Sequence, residues 1–125
     1  MREHRCGFIP VMDDGVPSRL VGVVTDRDLA LHLARMDHPA SQLPVAGCMT
    51  REPSTVTPDA ELEDAARIME AHGIHRLPVV GGGRLVGVLS VKDIARAAKR
   101  EWASAGPHIA ERQLAEILEA IATAQ

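Results

Sequence analysis

Aromatic residues are nearly missing from this chain: Phe8 and Trp102 are the whole complement, and there is no tyrosine. Any core must therefore be built from Val, Leu, Ile and Met packed between helices and strands. Basic residues show no excess either. The formal net charge is −3, whereas a general nucleic-acid binder needs a basic face to neutralise phosphates. Cysteine is confined to Cys6 and Cys48, too few for a disulfide framework. No apolar run approaches the roughly 18 residues of a membrane span, and no charged-then-apolar start resembles a signal peptide. These absences point to a soluble, cytoplasmic protein with neither nucleic acid nor membrane as partner. The 125 residues suit one compact domain or two small intertwined repeats.

A repeat is what the sequence does contain. Arg19-Leu-Val-Gly-Val-Val-Thr-Asp-Arg-Asp-Leu29 is answered by Arg84-Leu-Val-Gly-Val-Leu-Ser-Val-Lys-Asp-Ile94, and each follows an apolar-Pro-Val unit, Ile9-Pro10-Val11 or Leu77-Pro78-Val79. The shared core is Gly, two aliphatic residues, a hydroxyl, two free positions and Asp. It reads Gly22-Val23-Val24-Thr25 with Asp28, and Gly87-Val88-Leu89-Ser90 with Asp93. Such self-similarity defines the architecture before any single element does.

The second copy, residues 48–103, is complete. An entry loop from Cys48 leads to an extended segment, Thr55 to Thr57. Pro58 suits a first helical turn capped by Thr57 or Asp59, and Leu62, Ala65, Ala66 and Met69 recur at helical spacing. Gly73 suits the helix end. His75–Val80 and Arg84–Leu89 read as antiparallel strands joined by Gly81-Gly82-Gly83, and a closing helix is expected from about Val91 to about Ala103. The first copy, residues 1–36, has only the second half of this plan, with Val16-Pro17-Ser18 lengthening its hairpin and a helix over about Asp26–Met36. Met1 aligns with the internal helix residue Met69, so the first copy is expected to lack its first strand and helix, a truncation of roughly 50–60 residues including an entry loop. Residues 37–47, with Pro39 and Pro44, form a linker. In the tail, residues 104–125, Pro107 can open a helix whose stripe of Ile109, Leu114, Ile117, Leu118 and Ile121 is expected to dock at a subunit interface.

Together, the two apolar-Pro-Val strands, the two Gly-x-x-[Thr/Ser]-x-x-Asp units and Met49-Thr50-x-x-Pro53-x-Thr55-Val56 resemble the cystathionine-β-synthase (CBS) domain pair, or Bateman module, over residues 1 to about 100. The resemblance implies a mixed α/β (α+β) fold of tandem β-α-β-β-α repeats about a pseudo-two-fold axis, with clefts between the repeats that take adenosine compounds such as AMP, ADP, ATP or S-adenosylmethionine. It also implies that the module regulates another protein, while the apolar surface expected beside Ile9, Val11 and the Leu62 helix, where the front of the first copy is missing, favours a homodimer. By resemblance, one cleft is lined by Val24, Thr25, Asp28, Val56, His75, Arg76 and Lys92, with Asp28 on the ribose hydroxyls and the basic residues on phosphate. The opposite cleft, with Gly7, Phe8, Arg27, Ser90 and Asp93, is poorer: it has Gly7-Phe8 where the first has His75-Arg76, and no adenine-lining strand.

The chemistry of these residues fits such roles. An ionised Asp accepting both ribose hydroxyls makes a charge-assisted bidentate contact, and Arg offers phosphate a planar fork while Lys offers a point charge. Thr25 or Asp26 capping the following helix is the bland account of the motif. Solvated surface charge is the corresponding account of Arg76 and Lys92. His72-x-x-His75 is interrupted by Gly73 and lacks a third metal ligand nearby. Cys6 and Cys48 read as buried, inert thiols. Asp13-Asp14-Gly15 is a turn signal, and no catalytic pattern or resident cofactor is indicated. The expected function is a regulatory module sensing an adenosine nucleotide. Its rival is a ligand-free dimerisation or protein-interaction scaffold.

Overall fold

The computed structural model describes residues 1–105 and Glu119. The chain divides into two compact units, one of Met1–Pro53 with Gly83–Leu85, the other of Ser54–Gly82 with the described residues from Val86 on. The apolar stripe expected from Ile109 to Ile121 lies outside the described residues.

In the first unit, β1 (Phe8–Met12) pairs antiparallel with β2 (Leu20–Thr25), from Phe8 opposite Thr25 to Met12 opposite Leu20, with an irregularity between Val11 and Met12. Asp13 closes the connecting loop. Its Oδ1 accepts the amides of Gly15 at 3.2 Å and Arg19 at 2.7 Å, so the local carboxylate replaces strand partners as the chain turns. The bond from the Arg19 amide, with that from Gly15 in support, holds the Asp13 carboxyl below its ordinary range. Helix α1 (Asp26–Arg35) follows β2 directly and ends one residue before the expected Met36. Two short 3-10 turns, Ala40–Gln42 and Val45–Gly47, occupy the expected linker.

The entry loop of the second copy holds a strand that the sequence reading did not anticipate. Thr50–Arg51 forms β3, which pairs antiparallel with β2 as Val23 opposite Thr50 and Gly22 opposite Arg51. The sheet order is β1-β2-β3. A glycine makes this approach possible. A Cβ on Gly22 would stand 2.7 Å from Met49 Sδ and 2.8 Å from the Thr50 carbonyl oxygen.

The second unit holds most of the apolar core. Val56 forms a parallel bridge with Val79, donating its amide to Pro78 O at 3.1 Å and accepting from the Val80 amide at 2.8 Å. Helix α2 (Leu62–His72) starts four residues later than Pro58, the expected first-turn residue. Local chemistry accounts for the delay. The Ala60 amide bonds back to Thr57 O, and the Asp59 carboxylate, held below its ordinary range chiefly by a hydrogen bond from the Thr57 side chain, is committed to that turn. Pro58 instead packs on Gly81, where its Cγ lies 2.8 Å from an added Cβ. Glu61 takes the N-cap position without a side-chain cap bond.

Gly73 ends α2 in the left-handed region at φ 60°, and the Ile74 amide caps Met69 O at 2.9 Å. Strands β4 (Arg76–Gly81) and β5 (Arg84–Ser90) form a hairpin through Gly82 and Gly83, both at positive φ, as a tight two-residue turn between twisted strands requires. Helix α3 (Val91–Ala105) follows. Met69 and Leu77, both fully buried, pack with Val56, Ala65, Ala66, Val91 and Ile94. Each of the Val, Leu, Ile and Met side chains contributes about 1.5–3 kcal/mol relative to exposure. Ala97 and Ala98, three and four residues beyond Ile94 on α3, are half-buried. Among the described residues no helix is long and apolar enough to cross a membrane.

Candidate functional site

Both copies of the motif fold into the same local device. The Thr25 amide and hydroxyl each donate to Asp28 Oδ2 at 2.8 Å, while the Asp28 amide donates to Thr25 Oγ1 at 3.1 Å. Thr25 is the N-cap of α1, and the pair completes a reciprocal capping box. At the start of α3, the Ser90 amide and hydroxyl donate to Asp93 Oδ2 at 2.8 and 2.6 Å, and the Asp93 amide donates to Ser90 Oγ at 3.3 Å. The spacing Thr/Ser-x-x-Asp thus has a structural reason in each copy. It leaves each carboxylate fixed through one oxygen at a helix N-terminus, where the dipole favours negative charge. Hydrogen bonds from Ser90, first from its side chain and then from its backbone, hold the Asp93 carboxyl below the usual range.

A second shared bond ties each helix start to the residue before its Pro-Val strand. The Asp26 amide donates to Gly7 O at 3.2 Å, and the Val91 amide donates to His75 O at 3.0 Å. Gly7 and His75 occupy matching positions, so this bond independently supports the alignment of the repeats. At Gly7 an added Cβ would stand 2.8 Å from Asp26 Oδ2, the end of an exposed side chain that can turn aside, and the matching His75 makes the same bond with its Cβ in place.

The copies differ at the second carboxylate oxygen. Asp93 Oδ1 lies 3.9 Å from Arg96 Nη1, an exposed ion pair one helical turn along. The residue matching Arg96 in the first copy is Leu31, which offers no charge. Arg96 escaped the motif-based reading, although its three-residue spacing from Asp93 was a usable signal.

The remaining expected residues fall into two classes. Val24 and Val56 are buried at 3% and 7% exposure, so their side chains belong to the core, and Val56 has both backbone groups committed to β4. His75, Arg76, Lys92 and Arg27 are exposed, and Phe8 is half-buried at the start of β1. Val24, Thr25, Arg27 and Asp28 belong to the first unit with Gly7 and Phe8; Val56, His75, Arg76, Ser90, Lys92 and Asp93 belong to the second. Cys6 and Cys48 are half-buried rather than buried, and the Cys48 thiol lies 3.4 Å from Val45 O.

The model of the CBS domain matches residues 1–35 and 41–100. The CBS domain-containing protein YhcV of Bacillus subtilis (strain 168) is 40% identical over 95 residues, which cover 76% of this chain and 65% of YhcV. The chain spans less than two thirds of the length of such curated relatives, at 65%, 57% and 63%. Among solved structures, the CBS domain pair of MJ0100, in complex with 5′-methylthioadenosine and S-adenosyl-L-methionine, superposes with TM-score 0.67 at 28% identity, covering 80% of this chain and 76% of that one. CBSX2 in complex with AMP gives TM-score 0.63 at 35% identity, covering 79% and 75%.

Proposed function

Because this chain belongs to the CBS domain family, we propose that it is a regulatory module that binds an adenosine-containing ligand and passes the bound state to another protein. The capping-box carboxylate carries the reading. Asp28 is immobilised through Oδ2 at a helix N-terminus, and no charged residue occupies the position of Arg96 beside it. A carboxylate held in this way is ready to accept ribose hydroxyls with little further loss of side-chain entropy. Similar proteins hold AMP or S-adenosyl-L-methionine, which share the adenosine group.

Residue roles follow on the same basis. Thr25 and Asp28 take the ribose, while the exposed His75, Arg76 and Lys92 supply positive or hydrogen-bonding groups to a phosphate. Val24, next to Thr25 in the first unit, and Val56, bridged to β4 in the second, are buried in their own units and support the backbone there. Ser90 and Asp93, with Gly7, Phe8 and Arg27, form the weaker set, because Arg96 competes for the second carboxylate. Regulation requires the ligand to prefer one shape of the module, or of its cytoplasmic homodimer, over another.

Thermal unfolding with AMP, ATP or S-adenosylmethionine tests the proposal. A ligand at 100 times its dissociation constant stabilises the native state by about 2.7 kcal/mol. No shift with any of the three would favour the ligand-free scaffold.

A further inference from the structure

The two motif carboxylates are held alike and differ in the residue one helical turn along. In each copy Oδ2 accepts the amide and the hydroxyl of the capping residue, Thr25 on Asp28 and Ser90 on Asp93. A carboxylate oxygen has two lone pairs, so these bonds engage Oδ2 and make Oδ1 the acceptor for any hydroxyl that a ligand brings. In the second copy Arg96 Nη1 stands 3.9 Å from Asp93 Oδ1. The matching position on α1 is Leu31, 49% exposed. An Asp followed three residues later by Arg stabilises a helix, so the leucine forgoes a gain in fold stability that the second copy takes.

We infer that the residue three places beyond the motif Asp decides which copy's carboxylate accepts ribose hydroxyls, with Leu31 leaving Asp28 receptive and Arg96 withdrawing Asp93. The inference rests on the adenosine reading and adds to it a specificity-determining position. The guanidinium acts in two ways. It commits Oδ1 to an internal cation that a neutral diol must displace, and its planar head fills the approach to that oxygen. The Arg96 side chain is 73% exposed and that of Asp93 45%, so solvent and salt screen the pair and the discrimination is modest. Fold stability and ligand affinity therefore answer to this position with opposite signs. A cation there helps the helix and hinders the ligand, a signature that a merely structural surface position does not have.

A readout without ligand checks the ion pair itself. The Asp93 carboxyl is lowered first by the side-chain and backbone bonds from Ser90 and then by Arg96, so in Arg96→Leu it should titrate slightly closer to the ordinary aspartate value by NMR. No change there would remove the charge competition. The binding test is isothermal titration of the 125-residue chain with adenosine, a probe without a phosphate for a new arginine to attract. Leu31→Arg is expected to weaken adenosine binding about two- to fivefold at low ionic strength, more than Leu31→Gln does, with the loss shrinking at about 1 M salt. Its urea midpoint should equal or exceed that of wild type. Undiminished binding by Leu31→Arg, an equal loss in Leu31→Gln, or a loss that follows a fall in stability would overturn the inference and leave the adenosine reading standing. A wild-type chain that binds none of adenosine, AMP, ATP and S-adenosylmethionine would remove that reading, and the inference with it.

Discussion

Asp28 and Asp93 make the same three bonds with their hydroxyl partners, yet only Asp93 has an arginine one turn away. This makes one residue a control for the other. Replacing either by alanine removes a capping box and is expected to cost on the order of 1 kcal/mol of stability. Only Asp28→Ala is expected to weaken adenosine-ligand binding, by at least about tenfold, since a hydrogen bond to a charged group contributes about 1.5–3 kcal/mol. Calorimetry beside urea melts of both variants separates the two effects. Equal losses of binding would mean that the two carboxylates serve comparably. Arg76→Ala is expected to reduce binding of AMP more than of adenosine, because its assigned contact is the phosphate; equal losses would remove that assignment. The Ser90–Asp93 pair also has a definite pH dependence. The folded Asp93 carboxyl titrates below its ordinary value, chiefly because the Ser90 side chain donates to it. Its contribution is therefore full above about pH 4, the ordinary aspartate range, and is lost as pH falls through the lower folded value. The stability gap between wild type and Ser90→Ala should narrow in acid, which urea melts at several pH values would show.

At the scale of elements, the two motif glycines predict opposite outcomes for one substitution. Gly22→Ala places a methyl group against the Thr50 backbone and is expected to destabilise by about 1–3 kcal/mol. Gly87→Ala meets open space and is expected to be neutral or to stabilise by up to about 1 kcal/mol. Chemical denaturation of the two variants measures this contrast, and equal losses would contradict it. The same elements show what was legible in the sequence. The hairpins, the Gly73 stop and the starts of α1 and α3 follow from local residue chemistry, and they occur where the sequence places them. β3 does not follow, because a two-residue strand is defined by the partner that Gly22 admits rather than by its own pattern. The late start of α2 was hidden for a related reason. Thr57 and Asp59 have capping chemistry, but they use it on each other. The capping-box bonds of Thr25 and Ser90 were legible as one of two readings, and the structure shows those bonds in both copies.

Across the whole molecule, the apolar core is unevenly shared. Val56, Ala65, Ala66, Met69, Leu77, Val91 and Ile94 are all in the second unit, whereas α1 in the first has no buried residue and exposes Leu31 and Leu33. Amides around Met69, Leu77 and Ile94 are therefore expected to exchange most slowly, with those of α1 approaching local-opening rates. Native-state hydrogen exchange reads this directly, and uniform protection would contradict it. No single contact explains a regulatory role, which depends on a ligand distinguishing between shapes of the module. The most direct test of the central claim is isothermal titration of the intact chain with AMP, ATP and S-adenosylmethionine, each repeated on Asp28→Ala. Saturable binding of at least one ligand, lost or weakened at least about tenfold in the variant, is the predicted result. Absence of binding by all three, or binding indifferent to Asp28, would contradict it.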